Sequence, residues 1–262
     1  MTFAKPVEIS VTILGSGTCV PSLKRSSCSV LMKIKNRLLL FDSGPGTMRR
    51  LLEAGTTIFD ISHLFYSHLH PDHTGELVSF IFANKYSNGI HRQIPITLVA
   101  AKGFATFYSR LKSAYGHWIE LGPEMLRMIE LDNGACDMCC FDDFTVQSVP
   151  VEHIAGSLAY RIITSGKKSA VYSGDTDFCE SLIALSKDAD LLICESAHPD
   201  DLKVRGHLTP ALAGEIARRA NVRKLVLTHF YPECDQADIE KECRKTWAGP
   251  LLLAEDLMQI EL

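Results

Sequence analysis

At 262 residues, 46% hydrophobic and 22% charged, the chain has the composition of an ordinary globular protein with ample core for one large α/β domain. Its formal net charge of −4 excludes the sequence-wide basic field that drives non-specific nucleic-acid binding, so a polyanionic substrate needs a local patch or metal ions to hold it. No signal-peptide pattern is seen, no apolar run approaches the roughly 20 residues that span a bilayer, and the nine cysteines follow no framework spacing; a reduced, cytoplasmic protein without a membrane segment is expected.

In chain order, "EISVTILGSG" reads as a strand ending in a Gly-rich turn. "SCSVLMKI" and "RLLLFDSGPG" form a hairpin pair closed by Lys35 and Asn36. "TMRRLLEAG" has helical periodicity and stops at Gly55, and "ISHLFYS" is a buried strand that runs into "SHLHPDHTGEL". The polar stretch 85–93 is expected to be an exposed loop. "GFATFYSRLKSAYG" and "GPEMLRMIEL" are expected to be helical, the first with Phe104, Phe107 and Leu111 inward. The thiols of "CDMCC" (Cys136, Cys139, Cys140) have no second pair at zinc-ribbon spacing, which favours a structural or incidental role.

The second half repeats this outline. "FTVQSVPVEH" is a strand ending at His153, and "SLAYRIITSGKKSAVYSGDTD" is a hairpin ending in an aspartate loop, as "SVLMKIKNRLLLFDSGPG" does earlier. "ADLLICES" follows, then a helix over 209–220 with Thr209 as N-cap and Pro210 at its first position. "KLVLTHF" ends at His229, and "LLLAEDLMQIEL" is a strand-like closing segment. Two related β-rich halves predict an α/β (four-layer α+β) architecture of two facing mixed sheets with helices outside, as one domain over residues 1–262.

The polar residues at the strand ends form a constellation. His68, His70, Asp72 and His73 follow one strand; His153, Asp175 and His229 each follow another. Five imidazoles and two carboxylates are too many for one tetrahedral ion and suit two. With Asp175 bridging, one ion could take His68, His70 and His153, and the other Asp72, His73 and His229. Two metals about 3.5–4 Å apart can share a hydroxide and stabilise both the attacking and leaving oxygens of a phosphoryl displacement. Taken alone, His153 and His229 read as satisfied core or loop histidines and Asp175 as a turn aspartate; their order after the histidine motif decides for ligands.

"HLHPDH" is similar to the HxHxDH signature of the metallo-β-lactamase superfamily, and "SGDTD" and "THF" match its later metal motifs in order. "LGSGTCVPS" and "LLLFDSGPGTMRRLL" resemble the ribonuclease Z branch, with Pro45 where that branch commonly has glutamate. The resemblance covers essentially the whole chain and implies the αβ/βα sandwich. It also implies two divalent ions, zinc first with manganese or iron as alternatives, and the homodimers frequent in the family. "ICESAHPDDLKVRGHLTPALAGEIA" resembles the branch's segment in which a glutamate pairs with a histidine, here Glu195 and His207. An imidazolium supported by a carboxylate suits protonation of a departing alkoxide.

The expected function is therefore phosphodiester hydrolysis: a bridging hydroxide attacks, Asp72 orients metal and nucleophile, and His207 with Glu195 acts as general acid. In the alternative without catalytic meaning, His207 stabilises a turn and Glu195 is a surface carboxylate. The long arm that grips tRNA in the branch would lie between His153 and Asp175, where this chain has only a compact hairpin. A small or cyclic phosphodiester is thus at least as well supported as RNA, and DNA is not expected. Alternatives are a carboxylic ester, lactone, thioester or aryl sulfate hydrolase using the same metals, and a non-catalytic scaffold. His63, His91, His117 and His198 read as ordinary residues. "LGSGT" lacks the Lys-Ser/Thr of a phosphate loop and reads as a tight turn beneath the metal site.

Overall fold

Short apolar runs, the central ones buried on both faces, build two seven-stranded sheets in this computed structural model, which describes residues 7–87 and 92–262. The first sheet contains β1 (Ser10–Gly15), β2 (Ser29–Ile34), β3 (Arg37–Phe41), β4 (Ile61–Phe65), β5 (Ile96–Ala101), β6 (Leu126–Leu131) and β14 (Met258–Glu261), in the order β14-β1-β2-β3-β4-β5-β6. The second contains β7 (Asp137–Cys140), β8 (Phe144–Pro150), β9 (Leu158–Thr164), β10 (Ser169–Tyr172), β11 (Leu191–Glu195), β12 (Leu225–Thr228) and β13 (Leu251–Leu253), in the order β13-β12-β11-β10-β9-β8-β7. Both are mixed. An antiparallel hairpin, β2–β3 or β9–β10, leads into parallel strands, β4 to β6 or β11 to β13.

One apolar cluster fills the space between the sheets, with Val30, Phe41, Phe65, Tyr160 and Tyr172 at its centre, and continues through the second sheet to α5 (Glu180–Ser186) and α6 (Pro210–Arg219). A second cluster lies between the first sheet and α1 (Thr47–Glu53), α3 (Leu77–Lys85) and α4 (Phe104–Tyr115). The layers run helix, sheet, sheet, helix. This is the αβ/βα sandwich.

Three local expectations are corrected. "GPEMLRMIEL" is not helical: its second half is β6, parallel to β5. Leu126 and Met128 pack outward while Ile129 and Leu131 face the other sheet. A strand covered on both faces carries apolar residues at both parities, which mimics helical spacing. Lys85 closes α3 rather than starting a loop; of the 85–93 stretch, 88–91, including His91, lie outside the described residues. The closing segment is two strands. β13 adds to the second sheet, and β14 crosses over to pair with β1. Asp256 fixes the crossover, its Oδ1 accepting from the Ser16 amide at 2.9 Å and its Oδ2 from the Ser26 amide at 2.7 Å. Thr209 occupies the N-cap position of α6 with Pro210 behind it, but its side chain makes no capping bond.

Candidate metal centre

The site is assembled where strands of both sheets end. β4 leaves the sheet at Phe65, and Ser67 and His68 follow; Pro71 then starts the short helix α2 (Pro71–Thr74), which brings Asp72 and His73 back beneath His68. His153 follows β8, Asp175 follows β10, and Glu195 is the last residue of β11. His229 follows β12 in the left-handed region (φ 62°), which turns its ring into the site. His207 precedes α6.

All seven candidate ligands meet there. His68, His70, His153 and Asp175 form one group, and Asp72, His73, Asp175 and His229 another; within each, one donor atom per residue lies within 4.8 Å of the others. Asp175 belongs to both, and its two oxygens divide between them. Oδ2 lies 3.6 Å from His68 Nε2 and 3.7 Å from His153 Nε2, and Oδ1 lies 3.2 Å from His73 Nε2 and 3.4 Å from His229 Nε2. Asp72 Oδ2 is 3.5 Å from His229 Nε2. Burial alone would raise the Asp72 carboxyl, but the close approach of His229, with the charge of His73, brings it down to about 2.

Two divalent ions fit this donor set. His68 Nε2, His73 Nε2, His229 Nε2 and Asp175 Oδ1 are all buried and make no hydrogen bond among the described residues. Leaving four such atoms unpartnered in one cluster is costly unless they serve as ligands.

The surrounding shell fixes the tautomers of His73 and His153. Fully buried Asp42 sits in the left-handed region (φ 58°) immediately after β3. Its Oδ2 accepts from Tyr172 Oη at 2.6 Å, Ser67 Oγ at 2.7 Å and His73 Nδ1 at 2.7 Å, and its Oδ1 accepts from the Ser67 amide at 2.8 Å. His73 thus carries its proton on Nδ1 and presents Nε2 to Asp175. His153 Nδ1 likewise donates to the Gly206 carbonyl at 2.8 Å. The sequence singled out neither Asp42 nor Tyr172. The available signal was the parallel between "FDSGPG" and "SGDTD", the same strand-end aspartate in each half.

Beside the second group lies the Glu195–His207 pair. Glu195, 1% exposed, is no surface carboxylate. Its Oε1 accepts from His207 Nδ1 and the Thr176 amide at 2.9 Å, and its Oε2 from the Ala197 and Leu208 amides at 3.1 Å. Burial opposes protonation of His207, yet the bond and charge of Glu195 outweigh it and raise the imidazole above its ordinary value. Burial raises the Glu195 carboxyl in turn, with His207 opposing. The His207 ring lies 4.8 Å from that of His153 and stacks at 5.7 Å on that of His229, facing the cluster. His198, read from sequence as an ordinary loop residue, stacks on Tyr231 at 4.5 Å and lies 6.1 Å from His207. His63 and His117 are remote: His63 lies on β4, and His117 stands against Trp118. The "LGSGT" turn lies beneath the site, the Ser16 carbonyl accepting from the Phe230 amide at 2.9 Å. Cys136, Cys139 and Cys140 lie on or beside the edge strand β7 and join no metal-type cluster among the described residues.

The family model of the beta-lactamase superfamily domain matches residues 37–230, which include every residue of the cluster. Ribonuclease Z of Methanosarcina mazei is 27% identical to this chain, covering 97% of it and 98% of that protein. The crystal structure of human tRNase Z, short form, superposes with a TM-score of 0.76 at 25% identity, covering 96% of this chain and 98% of that one. The metallo-β-lactamase fold protein YhfI from Bacillus subtilis superposes with a TM-score of 0.83 at 22% identity, covering 98% of this chain and 100% of that one. The chain belongs to the beta-lactamase superfamily and, within it, to the metal-dependent hydrolases that resemble ribonuclease Z.

Proposed function

We propose that this protein hydrolyses phosphodiesters with two divalent ions, zinc first and manganese or iron as alternatives. His68, His70 and His153 would hold one ion, Asp72, His73 and His229 the other, and Asp175 both. Such a pair supplies Lewis-acid stabilisation of developing charge and a water of lowered pKa. The chain's own residues do the rest. Asp72 orients the attacking side of the site, and His207 Nε2 delivers a proton to the departing oxygen. Glu195 holds the His207 ring by Nδ1 and stabilises its cationic form.

The observation that carries this is the buried Glu195–His207 pair, 2.9 Å apart and aimed at the cluster. Alkoxide departure from a phosphodiester needs a proton donor of this kind; lactone or β-lactam opening needs it less.

The preferred substrate is a small or cyclic phosphodiester, with RNA the other candidate and DNA not expected. Between His153 and Asp175 the chain forms only the β9–β10 hairpin. The alignment with the M. mazei protein runs to 309 positions against 262 residues here, so that relative carries segments this chain lacks. A single domain without a tRNA-gripping arm accounts for both observations. No helix among the described residues is long and apolar enough to cross a membrane, which is compatible with the cytoplasmic location we propose. The proposal includes a homodimer, with Phe82, Tyr115 and Trp118 offering an exposed apolar face for a second copy.

Turnover of bis(p-nitrophenyl) phosphate, 2′,3′-cyclic nucleotides, pre-tRNA, a lactone and a thioester by the metal-loaded protein tests the assignment. Diester hydrolysis that collapses in His207→Ala while metal content stays at wild-type level is the expected result. Hydrolysis of only the carbon or sulfur esters would overturn it, as would loss of metal in that variant.

A further inference from the structure

At the end of the sandwich opposite the histidine cluster, the inner face of the first sheet changes character. Strand register places Leu39, His63, Thr97 and Arg127 in one row on the face turned towards the second sheet. One step further along the strands that face is apolar, with Phe41, Phe65, Val99 and Ile129 packed in or against the inter-sheet core. Of these polar groups the His63 imidazole is the buried one and needs partners on both nitrogens, whereas Thr97 is half-buried and Arg127 exposed.

The surroundings of His63 supply one of the two. His63 is 6% exposed. Ser62 Oγ donates to the Leu38 carbonyl at 3.0 Å, so at 2.9 Å it accepts from His63 Nδ1, and His63 Nε2 makes no hydrogen bond among the described residues. Phe141 and Phe144 stand edge-on to the imidazole, at 4.6 and 5.2 Å between ring centres. The Arg127 guanidinium has neither an ion pair nor a hydrogen bond among the described residues. Beside these groups lies a cavity of about 340 Å³, also lined by Arg37. Of the acids on its wall, Asp143 is held by Lys35 at 2.9 Å and Arg37 at 3.6 Å, and Asp142 is exposed to solvent. Cys140 is the remaining ionisable residue on the wall.

We propose that this cavity binds a small molecule carrying an oxyanion, a carboxylate or a phosphate, held by the Arg127 and Arg37 guanidinium groups and by His63 through Nε2–H. The phenyl rings at its wall accommodate the apolar part of such a ligand. Burial, followed by the charges of Arg37 and Arg127, holds the free imidazole down to about 4. A bound anion supplies the missing counter-charge, so binding favours protonation of Nε2. The site is separate from the metal-type cluster. β4 links the two, with His63 near its start and His68 beyond its end, roughly 16 Å away at five residues of extended chain.

The test uses the full-length, metal-loaded protein with 15N-labelled histidine, the His63 resonance being assigned with His63→Gln. Sodium benzoate and inorganic phosphate are titrated separately. A saturable His63 shift at millimolar probe, with its titration midpoint moving upward, is expected. Response to benzoate alone identifies a carboxylate site, and response to phosphate alone a phosphoryl site. Arg127→Ala, an exposed position, should weaken the response about tenfold, the loss of one charge-assisted contact, leaving metal content and bis(p-nitrophenyl) phosphate turnover unchanged. The absence of a saturable shift with either probe overturns the proposal. So does an undiminished shift in Arg127→Ala.

Discussion

Asp42 touches no candidate ion ligand except His73, yet it organises one side of the site. Four donors reach its two oxygens within 2.8 Å, from the Ser67 amide, Ser67 Oγ, His73 Nδ1 and Tyr172 Oη. A carboxylate can accept all four. The carboxamide of Asp42→Asn cannot, because its amide end presents hydrogens to groups that are themselves donors. Loss of such an outer partner typically costs about 10- to 100-fold in metal affinity, and we expect that from Asp42→Asn. Competition with a chromophoric chelator measures it, and wild-type affinity would contradict the role. Glu195 acts on His207 by a separable route. Its bond and charge raise the imidazole against the opposing effect of burial. A general acid works only while protonated, so activity should fall as pH rises through the His207 midpoint. Glu195→Gln keeps a hydrogen-bond acceptor but removes the charge, so the midpoint falls and the basic limb of the kcat profile moves to lower pH. An unmoved limb would place the acid elsewhere.

Among the elements, strand ends were the legible part of the sequence and their surroundings were not. His68, His153, Asp175 and His229 could be placed because each closes an apolar run, and strand ends on one edge converge. Asp42 has the same signature but no imidazole beside it, so its role appears only in three dimensions. β6 was misread because its two apolar faces imitate helical spacing, and α3 drew no reading because its flat distribution of apolar residues gives no single stripe. The approach of the two sheets at the rim is also invisible in sequence. Gly174, in the loop after β10, sits at φ 56°, and a Cβ there would lie 2.5 Å from Ser67 Cβ. Gly174→Ala therefore combines left-handed backbone strain with a clash that drives Asp175 away from His68. A loss of about 2 kcal/mol or more in unfolding free energy with reduced metal uptake is expected. Adding Ser67→Gly removes the clashing carbon and should recover part of the stability, which chemical denaturation would show. If the double variant is no better than Gly174→Ala, the clash is not the cause.

At the scale of the whole molecule, the cluster is also the seam between the sheets. His68, His70, Asp72 and His73 hang from the first sheet; His153, Asp175 and His229 belong to the second. Ions held between them would tie the two sheets together at one end, while the apolar core joins them along their length. Removing the ions should therefore lower stability without abolishing the fold. Ligand present at a thousand times its dissociation constant stabilises by about 4 kcal/mol, and a loss of that order on chelation would appear as a fall in Tm. The sign with pH follows from the ligands. Imidazoles bind metal only when neutral, so protons compete with the ions as pH falls through the histidine range. The Tm difference between metal-loaded and chelated protein should be largest at neutral pH and shrink on acidification. Hydrogen exchange should localise the change, with faster exchange on chelation at 67–74, 174–176 and 229–231 and unchanged protection in the paired strands β8 and β9. Uniform acceleration across both sheets would mean that the ions hold the fold itself, and not one seam of it.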